Sequence, residues 1–232
     1  MKKLSFITLL SIAAMALVGC GDKKISQETF AAQLQDVKTH LTVNNDDITD
    51  VHINDTLSIE VYNYKEGEYS TYRYFAVALI IPISYGDYTW KEEDGRFYHY
   101  HDDIISSHDK WSEITEEQFN EYMAAGKQKL LDTMMVPVLL AEGLMNGGTE
   151  TYSNAKCTFY QTYKKHFKLS ATATYKTTDS SGQEVDANAK IALEFKDKLP
   201  TKFQTQKDGK STWKYTYGDS TFTRPTPPDD PQ

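Results

Sequence analysis

Apolar positions along this chain follow two periods, and the changes of period mark the elements. Phe30, Leu34, Val37 and Leu41 recur at spacings of four, three and four. That pattern is one face of a helix, with Gln33, Gln35 and Lys38 on its other sides and Ser26 placed to cap it. Over residues 50–103 the period becomes two: Leu57, Ile59 and Val61 alternate with Ser58, Glu60 and Tyr62. Residues 65–68 read as a turn. Residues 69–82 read as one long strand. Its middle, 75–81, is apolar on both parities, which predicts cover on both faces. Residues 85–91 and 96–101 flank Asp94-Gly95 as a hairpin.

A helical period returns after Thr115. Thr115 and Gln118 form a capping box, Ile114 and Phe119 stand as a hydrophobic staple, and Glu116 and Glu117 suit the positive end of the dipole. Phe119, Tyr122, Met123, Leu130 and Met134 make the apolar face. Pro137 is expected to break or kink this helix near Val136, with 138–145 as a further short stretch ending at Gly147-Gly148. Alternation then resumes. Phe167, Leu169, Ala171, Ala173 and Tyr175 share one parity, and after a turn at 180–182 so do Val185, Ala187, Ala189, Ile191, Leu193 and Phe195. Leu199-Pro200 reads as a corner, 207–210 as a turn, and Trp213, Tyr215 and Tyr217 as a last strand. The Pro/Asp stretch 226–232 is expected to be disordered. Neither an internal repeat nor an interdomain linker is visible, so 26–225 reads as one domain. Most strands are apolar on one parity only, so one face of an antiparallel sheet needs cover, and the helices at 26–41 and 116–135 can supply it. The fold class is α+β.

The first twenty residues add a compartment. Lys2 and Lys3 precede an apolar run, 4–18, broken only by Ser5, Thr8 and Ser11, and then Leu17-Val18-Gly19-Cys20. A basic start, a short apolar stretch and a small residue before the cut describe a secretory signal over 1–19. Leu-Val-Gly-Cys resembles the lipobox of bacterial lipoproteins. The resemblance implies that the Cys20 thiol receives a diacylglycerol and that the chain is cleaved before it, leaving 20–25 as a lipidated tether. Two acyl chains hold stably, whereas the apolar run is short for a membrane span. The expected location is the cell membrane or the outer membrane, facing away from the cytoplasm.

Composition narrows the function. Removing 19 residues leaves 232 − 19 = 213, and removing Lys2 and Lys3 leaves 23 Lys and Arg against 33 Asp and Glu, or −10. Phosphate contacts need clustered Lys and Arg, so nucleic acid is an unfit partner for such a body. Anionic headgroups repel it mildly. Cys157 is the one cysteine after Cys20, so no intramolecular disulfide forms. Nothing beside it would lower its pKa, and it reads as a half-buried strand residue rather than a nucleophile.

No Gly-x-Ser-x-Gly, His-Glu-x-x-His, phosphate loop or Cys-x-x-Cys occurs. Catalysis and a cofactor are therefore not expected. His99 and His101 lie two apart on a strand and share a face, so with Asp103 or His108 they could ligate a metal. The alternative is a solvated strand end. The 16 Tyr, 10 Phe and 3 Trp read as cross-strand packing or as an amphipathic lining. Ala171, Ala173, Ala187 and Ala189 share an inward face. Either a helix drops close to the sheet there, or a hollow remains that would accept acyl chains beneath Phe119, Met123, Leu130 and Met134.

The order of elements resembles the LolA/LppX-like lipoproteins. It runs lipobox, N-terminal helix, long meander, mid-chain helical insert, then Leu199-Pro200-Thr201-Lys202-Phe203 and Trp213, Tyr215, Tyr217 and Pro225. The resemblance covers about residues 26–225. It implies an open half-barrel of about 8–10 antiparallel strands with helices in its concave face, and a hollow that carries lipid. The expected function is a non-catalytic, membrane-anchored envelope lipoprotein binding a lipid or other apolar ligand. A structural or protein-interaction lipoprotein with a filled core is the alternative, and a metal-binding lipoprotein a further one.

Overall fold

The computed structural model describes residues 22–55, 57–78, 81–103, 110–163, 165–207, 209–218, 222, 224 and 225. The leader 1–19, Cys20, His108, the tail 226–232 and Asp208 of the turn expected at 207–210 lie outside the described residues.

The chain runs β1 (Lys23–Ile25), α1 (Gln27–Val43), β2 (Asp50–Asn54), β3 (Ser58–Lys65), β4 (Tyr69–Ala78), β5 (Ile81–Lys91), β6 (Phe97–Asp103) and β7 (Lys110–Ile114). It continues through α2 (Glu116–Met145), β8 (Ser153–Tyr163), β9 (His166–Thr178), β10 (Glu184–Lys196), β11 (Leu199–Lys207) and β12 (Gly209–Tyr217). The strands form one antiparallel sheet in the order β1-β8-β9-β10-β11-β12-β2-β3-β4-β5-β6-β7. It is an α+β fold whose sheet is not closed, with β1 and β7 at its edges. Two meanders are joined where β12 pairs with β2, Tyr215 opposite Ile53.

Local chemistry explains the helices. Ser26 is the N-cap of α1, its hydroxyl accepting from Thr29 N–H, and Phe30, Leu34, Val37 and Leu41 are its buried face. Thr115 and Gln118 close the expected capping box at the start of α2. With 30 residues, α2 is about 45 Å long. Twelve strands at about 4.8 Å spacing span about 53 Å. This helix therefore carries the chain from the β7 edge back towards the β1 edge, touching β3, β4, β5, β6, β8 and β11 on one side of the sheet. Its approach is close. A Cβ placed on Gly126 would lie 1.9 Å from Ser70 Oγ of β4.

Three expectations about elements are corrected. Residues 69–82 are not one strand: β4 ends at Ala78, β5 starts at Ile81, and those two residues pair. The run is apolar on both parities because its outward residues are exposed, Phe75 by 45 % and Val77 by 41 %, not because both faces are covered. Pro137 does not break α2. It lies inside the helix between Met134 and Val138, both fully buried, and that packing offsets a proline cost of about 3 kcal/mol. The sheet has 12 strands instead of about 8–10. The surplus includes β1, drawn from the expected tether and paired through Ile25 with Phe159, and β7, drawn from a stretch before Thr115 that the alternation assigns to no strand.

The main core lies between the helices and the strands from β8 through β12 to β3. The Phe30 ring is 4.9 Å from Phe159 and 5.2 Å from Phe167, while Phe167 stacks on Phe195 at 5.2 Å. On β9 and β10 the buried residues follow the expected parity, with Leu169, Ala171, Ala173, Ala189, Ile191 and Leu193 all enclosed.

Candidate functional site

The helix-bearing face is filled where the alanines meet. Ala173 pairs with Ala189 and Ala171 with Ile191 across β9 and β10. Ala171, Ala173 and Ala189 are 5 %, 3 % and 0 % exposed, and they share one core with Phe30, Leu34, Leu130 and Met134. Ala187 is partly buried at its margin. Phe119 and Met123 are buried outside that core, towards the other half of the sheet, and the Phe119 ring lies 4.7 Å from Phe97 of β6. Five of the eight residues expected to line a hollow are thus packed together, one flanks them, and two lie elsewhere.

Under the first half of α2 the packing is polar and aromatic. His99 stacks on Tyr122 at 4.2 Å, and its Nδ1 lies 3.1 Å from Thr89 Oγ1 and 3.6 Å from Asp87 Oδ1. Burial pushes this imidazole below its ordinary range, against the pull of Asp87. His101 meets the Tyr85 ring edge-on at 4.9 Å. Lys129 sits 3.4 Å above the Tyr72 ring, and burial lowers its pKa. Tyr62 donates to Glu60 Oε2 at 2.8 Å, and desolvation drives its phenol far up. These contacts seat α2 on β3–β6. His99 and His101 share the face expected of them. Among the described residues no three His, Cys, Asp or Glu side chains gather as a metal site. Cys157 donates to Leu144 O at 3.4 Å, and burial raises its pKa, so the thiol rather than the thiolate is held there.

Two grooves open on the other, outer face. The first, of about 270 Å³, lies over β3–β6 and is lined by Ile59, Val61, Phe75 and Tyr88 with Arg73, Ser84 and Asp102. Beside it Ile59 and Val77 are 42 % and 41 % exposed. At the opposite end of these strands the C-terminal segment crosses the same face. Phe222 stacks on Tyr69 at 4.5 Å, and Arg224 reaches Glu92 Oε2 at 2.6 Å.

The second groove, about 460 Å³, crosses β8–β11. Register arranges its surroundings in rows. Lys156, Thr172, Lys190 and Gln206 are consecutive cross-strand neighbours. Two residues along each strand lie Thr158, Ser170, Ala192 and Gln204. The next row is Lys24, Tyr160, Lys168, Glu194, Lys202 and Lys214. Sequence reasoning missed both grooves. The lysine rows carry a legible signal, the polar parity of β8–β12, but that parity reads simply as solvent-facing until the strand order sets the lysines side by side.

No helix among the described residues is long and apolar enough to cross a membrane. No model of a known protein family matches the chain, and no curated protein matches it either.

Proposed function

We propose that this chain is a non-catalytic, lipid-anchored envelope lipoprotein that works through contacts made by its outer sheet face rather than by carrying a lipid beneath its helices. One observation carries this reading. Ala173 and Ala189, expected to floor an acyl-binding hollow, are enclosed in one core with Leu130 and Met134, while Ile59, Phe75 and Val77 stand exposed on the opposite face. Contiguous exposed apolar groups beside a groove mark an interaction site. The open sheet with both helices on one side supports reading the architecture as a half-barrel of the LolA/LppX-like kind. The anchor reading rests on Leu17-Val18-Gly19-Cys20 and places the protein on the cell membrane or outer membrane, facing away from the cytoplasm.

Native mass spectrometry of the purified protein is the test. The expected spectrum contains the chain with its Cys20 acyl groups and no second lipid. A further lipid mass that survives delipidating washes would overturn the filled-core reading in favour of lipid carriage.

A further inference from the structure

The chain's net charge is −8, yet the outer face of β8–β12 is basic. Lys24, Lys156, Lys190, Lys196 and Lys214 point to that face and make no ion pair among the described residues. Lys202 and Lys214 stand directly opposite each other in register. Like charges so placed repel, and the Lys202 ammonium turns to Glu194 Oε1 at 3.0 Å, leaving Lys214 without a counter-ion among the described residues. Between the lysine rows runs the hydroxyl and amide row of Thr158, Ser170 and Gln204, with Ala192 as the small residue that deepens the groove. Cationic groups on both sides of a row of hydroxyl and amide donors suit a phosphate ester.

The tether gives this face its neighbour. Thr162 donates to Asp22 Oδ1 at 2.8 Å and Lys168 pairs with the same carboxylate, so the chain is held at the outer face at residue 22. Cys20 lies two residues earlier, within about 7 Å of extended backbone. On the anchor reading, a diacylglycerol on Cys20 is tied within that reach of Asp22, the partner of Lys168.

We infer that the outer face of β8–β12 docks on the membrane that holds the anchor, with headgroups of anionic phospholipids seated in the groove between the lysine rows. The inference rests on the anchor reading for the position of the membrane. The charge and shape of the face stand apart from it. The acidic remainder of the body is repelled by the same headgroups, so the two signs of charge together set one orientation.

The test uses the acylated protein reconstituted into vesicles, with amine labelling of individual lysines read by mass spectrometry. Phosphatidylcholine vesicles are compared with vesicles containing phosphatidylglycerol. One lysine at an anionic surface is worth about 1 kcal/mol, or roughly fivefold. Lys156, Lys190 and Lys214 should therefore label about fivefold more slowly on phosphatidylglycerol. High salt should restore them, and the remote Lys91 should not change. Equal labelling on the two vesicle types overturns the proposal. Protection on phosphatidylcholine when inorganic phosphate is added also overturns it, because the groove is then an ion site. Lys156→Gln with Lys190→Gln alters two exposed side chains, and unchanged circular dichroism confirms the fold. In that variant the protection of Lys214 should shrink towards its phosphatidylcholine value, and undiminished protection counts against the groove. A protein that fails to float with phosphatidylcholine vesicles refutes the anchor alone, since the lysine labelling is then read on the unanchored chain.

Discussion

Replacing Ala173 by tryptophan separates a filled inner face from a hollow one. Ala173 is 3 % exposed, its partner across β10 is Ala189 at 0 %, and Ala171 two residues away is at 5 %. The helix residues of the same core, Leu130 and Met134, are exposed by no more than 1 %. An interior at crystal-like density has no room for an indole, so neighbouring side chains or α2 must shift. Overpacking of this kind costs about 1–3 kcal/mol. In a domain of this size each kcal/mol moves the melting temperature by about 2–4 °C, which gives a fall of about 2–12 °C. Ala192→Trp is the matched control. Ala192 is on β10 as well, but it points into the outer groove of about 460 Å³. Its effect should stay within about 0.5 kcal/mol. The assay is thermal unfolding of both variants and the parent, with co-purified lipid quantified in each. If Ala173→Trp melts with the parent, the inner face has a vacancy and the packing argument fails.

Other consequences are as direct. Thr115→Ala removes the side-chain acceptor for Gln118 N–H and should cost about 0.5–2 kcal/mol in urea unfolding, and a curve overlaying that of the parent would dissociate the capping box from stability. Gly126→Ala should destabilise although alanine is the better helix former by about 1 kcal/mol, because its Cβ meets Ser70 Oγ; Ser70→Ala should restore part of the loss, and additive losses in the double variant would refute the close approach. His99 is held below its ordinary 6.5 chiefly by burial, so the unfolded chain binds the proton more readily; stability should fall as pH drops through about 6.5, and His99→Gln should flatten that slope in melting curves taken across this range. Cys20→Ala should abolish incorporation of radiolabelled palmitate, and labelled Cys20→Ala protein would disprove the lipobox.

Legibility followed burial. Where one parity is enclosed, as in α1, β9 and β10, the apolar pattern reads directly as structure, and Phe30, Leu34, Leu169 and Leu193 lie where their spacing put them. Helix caps and the turn at Gly95 depend on neighbours in sequence and were equally plain. The β4–β5 reversal was hidden because Phe75 and Val77 are apolar yet face outward, so parity lost its meaning there. Pro137 misled because tertiary packing outweighed a local rule. The four alanines fit either a close helix or a hollow in sequence, and in the structure Ala171, Ala173 and Ala189 are enclosed in one core with Phe30, Leu130 and Met134. Neither groove could be seen from the alternation alone, because each is set by cross-strand register among four consecutive strands and not by the pattern within any one of them.

The pairing of the N-terminal elements also governs when the protein can fold. A chain that crosses a membrane N-terminus first delivers α1 early, but the rings that receive Phe30 are Phe159, Phe167 and Phe195. β1 likewise waits for β8. The meander β2–β7 can form hairpin by hairpin as it emerges, whereas α1 stays without its buried partners until Phe195 has followed. Contacts so distant in sequence form slowly. On the proposed anchor reading, translocation and lipidation at Cys20 are therefore complete at the N-terminus while the body is still unlatched, and β8–β10 close the structure around the first helix when they arrive.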